Sequence, residues 1–179
     1  MNRKQRVRKM TLVTMLLAMS IVFHMLEPTI PLPVPGVKLG LANIFGLIAL
    51  FLFGVKEMLG INFMRVLIAS LLRGIIFGTG FWLSLSGVFL SSMVVIFFYR
   101  YSKLSLVGLS MAAAAFHNVG QILAIIVIWS SIFLIYWLPP MIWLSIPTGI
   151  LTGTLAKESI RRVDKSKMDA VLGYSKRRD

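Results

Sequence analysis

The residues able to do chemistry in this chain are few, and those of most interest interrupt long apolar runs. Asn62, Arg65 and Arg73 fall in one run, His117, Asn118 and Gln121 in another, and Asn43 and Lys38 in a third. An arginine at bilayer depth costs about 2.5–3.5 kcal/mol on insertion scales, so it normally faces a cavity or a partner rather than lipid. Its planar guanidinium pairs with carboxylate or phosphate through two parallel bonds. Amide and imidazole groups beside it would set the orientation of a ligand. The pattern points to a binding site for a small anionic molecule, with Arg65, Arg73, His117, Asn118, Gln121, Asn43, Asn62 and Lys38 as candidate residues.

Catalytic patterns are missing. The only acids are Glu27, Glu57, Glu158, Asp164, Asp169 and Asp179; Glu57 stands in the turn that opens one apolar run and the others lie outside the runs. No D-D-x-x-D is present to hold Mg²⁺ and diphosphate, no Walker motif and no H-E-x-x-H. The two histidines, His24 and His117, lie in different runs without an obvious carboxylate partner. With no cysteine in the chain, disulfides and thiolate metal sites are excluded. No catalytic residue, metal or cofactor is expected, and turnover by this chain alone is not expected either.

The elements that must position these residues follow from composition. Of the 179 residues 58% are hydrophobic, and the mean hydropathy is +0.86. Soluble domains are about 45–50% apolar. Several runs exceed about 18 residues without a charge, the length that crosses a bilayer. The expected fold is therefore all-α, a polytopic membrane bundle of six transmembrane helices. The spans are expected near 10–26, 38–53, 56–77, 81–99, 104–128 and 142–156. A basic N-terminus, 1–9, precedes this transmembrane domain, 10–156, and a basic tail, 157–179, follows it. Pro28, Pro31, Pro33 and Pro35 make the first connection stiff and non-helical. Trp129, Trp137, Pro139 and Pro140 mark an aromatic connection at a membrane interface.

Formal net charge is +13, but the basic residues sit at the ends and in turns, and no nucleic-acid motif accompanies them. With six spans, sixteen of the 19 basic residues fall on one side and only Lys38 on the other. That asymmetry places both termini in the cytoplasm.

Within span three, Arg65 lies about 13 Å and Arg73 about 25 Å from the inner turn. Arg73 either lines a cavity or snorkels to the outer interface; Arg65 is too deep to snorkel easily. His117 and Gln121 are one turn apart at an overlapping depth, with Ser110 two turns below His117. Gly149-x-x-x-Gly153, flanked by Thr148 and Thr152, reads as a close helix contact inside the bundle.

The segments VKLGLANIFGLIALFLFGVKE, NFMRVLIASLLRG, LSLSG and SLVGLSMAAAAFHNVGQ, within residues 37–124, resemble one membrane-protein family. It is the heptaprenyl diphosphate synthase component I family, also called Gx transporter, and KLGLAN and HNxGQ are the most specific pieces. The family in turn is similar to the six-helix substrate-binding subunits of energy-coupling-factor transporters. The resemblance implies a bacterial inner-membrane protein with one of two roles. One is a substrate-binding and transport subunit that works with an energy-coupling ATPase module. The other is a non-catalytic component of a polyprenyl diphosphate synthase in isoprenoid-quinone biosynthesis, beside a separate prenyltransferase subunit.

Overall fold

The computed structural model describes residues 3–27 and 40–163. Six α-helices follow one another: α1 (Arg3–Leu26), α2 (Asn43–Leu52), α3 (Val55–Leu72), α4 (Thr79–Tyr101), α5 (Leu106–Trp129) and α6 (Leu138–Arg162). A 3-10 helix, Ile132–Trp137, joins α5 to α6. No strand occurs among the described residues. The proline-rich connection from Pro28 onward, Lys38, and the tail from Asp164 lie outside the described residues.

Four of these stretches are long and apolar enough to cross a membrane: α1, α4, α5 and Ile132–Arg162. The other two differ from the expected full spans. In place of a span over 38–53, α2 has 10 residues, which at 1.5 Å per residue is about 15 Å. Gly40, at φ 72, opens a turn through Leu41 and Ala42 before the helix begins. Every residue from Ile44 to Leu50 is buried, so α2 is a core helix surrounded by α1, α3, α5 and α6. The 18 residues of α3 carry Lys56, Glu57 and Arg65 and stop at Leu72 rather than Phe77. Its stop is a Schellman turn: Gly74 has φ 65 and donates to the Leu71 carbonyl, and Ile75 N–H reaches the Ser70 carbonyl at 3.0 Å.

Other ends follow local chemistry. Gly54, at φ 109, turns the chain between α2 and α3 and donates to the Ala49 carbonyl. The Ser105 hydroxyl caps α5 by accepting from Gly108 N–H at 3.2 Å. Pro139 and Pro140 sit in the first turn of α6, where no N–H is needed, so the helix starts four residues before expectation.

Glycines set the tightest crossings. A Cβ on Gly120 of α5 would lie 2.6 Å from the Ser86 carbonyl oxygen of α4. Gly149 and Gly153 of α6 face Met111 and Val107 of α5, so that pair is an internal contact as expected. Gly60 contrasts with them: it is exposed in the middle of α3 with nothing within 4 Å of a built Cβ. Gly60→Ala is expected to stabilise the fold by about 0.8–1 kcal/mol through helix propensity; a thermal melt shifted upward checks it, and a downward shift would place a neighbour there.

Leu52 and Val55, Tyr99 and Leu106, and Ile160 pack onto one cluster. The α2–α3 turn, the α4–α5 turn and the last turns of α6 therefore share one end of the bundle. Lys9 of α1 pairs with Glu57 of α3 at that end. Lys56, Arg100, Lys103 and Lys157 lie in or beside these same segments.

Candidate functional site

Arg65 is the largest fully buried side chain, 1% exposed, on the face of α3 that also buries Met58, Ile61, Asn62 and Ala69. This spacing of three, four, seven and eight residues turns one stripe of a helix inward. One terminal nitrogen of its guanidinium donates to Asn43 Oδ1 at 2.8 Å, and the other approaches Ser20 Oγ at 3.5 Å. Nε has no hydrogen-bond partner among the described residues. Arg65 forms no direct ion pair among the described residues, although Glu27 acts on it electrostatically.

A cavity of about 20 Å³ lies beside the guanidinium, room for about one water. Its polar wall brings together His24 and Glu27 of the α1 end, Asn43, Arg65, His117 and Thr148. Asn118 also borders it and fastens α5 to α6 through Nδ2–H to the Met141 carbonyl at 2.9 Å. The imidazole of His117 packs against Gly87, where a Cβ would meet its Cε1 at 2.8 Å. A smaller chamber of about 10 Å³ shares Asn43 and is bordered by Asn62, Ser91 and Ser92. Asn62 donates from Nδ2 to Ser92 Oγ at 3.1 Å, while its Oδ1 has no hydrogen-bond partner among the described residues. Leu47, Met58 and Val95 form the apolar side of that chamber.

Of the expected site residues, Arg65, Asn43, His117 and Asn118 meet at the first cavity, and Asn62 joins the second. Gln121 is buried, with Oε1 unsatisfied, but borders neither. Arg73 is exposed at the end of α3, because the Schellman turn ends the helix before the chain could carry it along the Asn62 face. The position of Lys38 is outside the described residues.

Four contributors were missed by the sequence reading: Ser20, His24, Glu27 and Thr148, which the sequence marked only as a flank of a helix contact. Glu27 is 5% exposed, and its carboxylate accepts from Ala42 N–H at 3.3 Å. Ser20 Oγ donates to the Ala42 carbonyl at 3.1 Å, so α1 grips the entry of α2 by two polar contacts. The signal was present: Ser20, His24 and Glu27 are spaced by four and three residues, one face of a helix.

The arrangement suits polar recognition. Among the described residues no three His, Asp or Glu side chains form a metal-ligand cluster. Neither a curated protein nor a solved structure matches the chain. A family model described as heptaprenyl diphosphate synthase component I matches residues 16–159. The match runs from the middle of α1 into the last turns of α6 and takes in every helix that borders the two cavities, and the chain belongs to the heptaprenyl diphosphate synthase component I family.

Proposed function

We propose that this chain is a non-catalytic membrane subunit that binds the anionic group of a small molecule at Arg65, and that it transports that molecule with partner proteins. The observation that carries the reading is a buried arginine that lines a polar cavity and whose Nε has no hydrogen-bond partner among the described residues. A charge so placed is costly unless something beyond Ser20 and Asn43 completes its bonding, and charge-assisted bonds to an anion do so best. The cavity has room for about one water, so a larger ligand requires the surrounding helices to part. Mass spectrometry of small molecules retained by the purified protein tests the reading. An anionic compound retained by the wild type and lost in Arg65→Met supports it; a protein that retains none overturns it. Uptake into proteoliposomes with and without an ATPase partner tests the transport step, and equal uptake in both would remove the energy-coupling role.

The family match favours a second reading, in which the same bundle is the membrane component of a heptaprenyl diphosphate synthase and the catalytic subunit is a separate prenyltransferase. Co-purification with a prenyltransferase, and a change in that enzyme's product when this chain is present, would favour it over transport.

In either reading we place the chain in a bacterial cytoplasmic membrane as six membrane-embedded helices, with the short α2 held in the core. The shared basic end supports a cytoplasmic position for both termini. Reporter fusions at Asn2 and Asp179 are expected to report cytoplasmic locations, and an external C-terminus would reverse this topology.

A further inference from the structure

The cavity beside Arg65 holds more titratable groups than an anion contact alone requires. From α1 come His24 and Glu27, from α3 Arg65, and from α5 His117; α2 and α6 contribute the neutral Asn43 and Thr148. Arginine stays cationic under all ordinary conditions. Counted formally, with Arg65 as one positive charge, Glu27 as one negative charge and the histidines as neutral, the described wall sums to zero. Arg65 and Glu27 make no direct ion pair, so the guanidinium remains open to contact while its charge is already balanced across the cavity.

Counting the described residues, an arriving anion would therefore leave one uncompensated negative charge beside a cavity of about 20 Å³. Unpaired charge in a dry interior is strongly unfavourable. The nearest remedy is a proton on His24, Glu27 or His117, since a bound anion raises the proton affinity of every neighbouring group. We propose that the site takes its anion together with one proton, so that the pair enters as a neutral load. The proton comes from solvent and rests on one of these three side chains, and no other bond is made or broken. This inference rests on the reading of Arg65 as the anion contact.

The sign follows from linkage. If binding takes up a proton, affinity is highest where the acceptor is already protonated. It falls by up to about tenfold for each pH unit above the acceptor's pKa in the empty site. Anion and proton must strengthen each other's binding equally.

The test uses the full chain in nanodiscs of neutral phosphatidylcholine, with formate as the probe. Formate stays ionised between about pH 5.5 and about 8.5, where histidine titrates. Two quantities are measured: protons taken up per formate bound, read with an indicator dye in weak buffer, and formate affinity against pH. The expected result is about one proton per formate and an affinity that falls as pH rises. Glu27→Gln gives the empty wall one positive charge, so its formate binding is expected to take up no proton and to be flat with pH. Formate bound by the wild type at Arg65 with no proton uptake and a flat profile would overturn the proton proposal while leaving the anion site standing. No formate binding, or binding unchanged in Arg65→Met, would overturn the anion site and this proposal with it. The wild-type proton count is independent of how any variant folds.

Discussion

Arg65→Met is expected to abolish retention of an anionic ligand and to lower stability by about 1–3 kcal/mol, the usual cost of leaving a buried hydrogen-bond partner, here Asn43 Oδ1, unsatisfied. The variant removes both guanidinium contacts, to Asn43 and toward Ser20, and with them a link among α1, α2 and α3. It also leaves Glu27, 5% exposed, without the charge that balances it. Arg65→Lys keeps the charge but loses the fork, so it is expected to fold better than Arg65→Met and still to bind weakly. Arg65→Met combined with Glu27→Gln removes both charges and is expected to recover much of the stability and none of the binding. Thermal melts and mass spectrometry of retained ligand on the four proteins separate the two roles. A folded Arg65→Met protein that holds its ligand as the wild type does would move the site away from this cavity.

Gly120→Leu is expected to cost at least about 3 kcal/mol, the upper part of the range for overpacking a close contact. The clash is with backbone: a Cβ at this position meets the Ser86 carbonyl oxygen at 2.6 Å and Gly87 Cα at 2.9 Å. Neither atom can rotate aside, so α4 and α5 must separate. His117 would lose its packing against Gly87, and the first cavity would change shape. Gly108→Ala is the comparison, since its nearest contact is the flexible Leu104 side chain at 3.4 Å. A melt of Gly120→Leu no lower than that of Gly108→Ala would mean that α4 and α5 do not cross here.

Much of the architecture was legible in local chemistry. The break between the expected spans 38–53 and 56–77 marked the α2–α3 turn, and Gly149 with Gly153 marked a close helix pair, because small residues at a four-residue interval read the same way before and after folding. Arg65 was legible as a residue that must face a cavity or a partner because its charge has no cheap place in an apolar run, and it lines a cavity. What escaped was of two kinds. Gly40 and Gly74 adopt left-handed backbone conformations that shorten two helices, and a glycine inside an apolar run gives no sign of which conformation it will take. Those two turns removed Arg73 from the site and made α2 a core helix. The other kind was the Ser20–His24–Glu27 stripe. Hydropathy treats α1 as one apolar segment, and only a search for polar residues at helical spacing brings the stripe out.

The brevity of α2 bears on how the chain is made. At about 15 Å it spans half of a bilayer core about 30 Å thick, so it cannot be threaded in and left there as an independent segment. Its first turn is held by Ser20 and Glu27 of a helix synthesised earlier, while Asn43 and Gly46 meet Arg65 and Asn62 of one synthesised later. During translation, then, α2 and α3 are expected to leave the insertion machinery together as a hairpin, and Arg65 to be shielded from lipid by its neighbours from the outset. A nascent chain arrested soon after Leu52 should remain extractable at α2, and commitment to the membrane should come only once α3 has emerged.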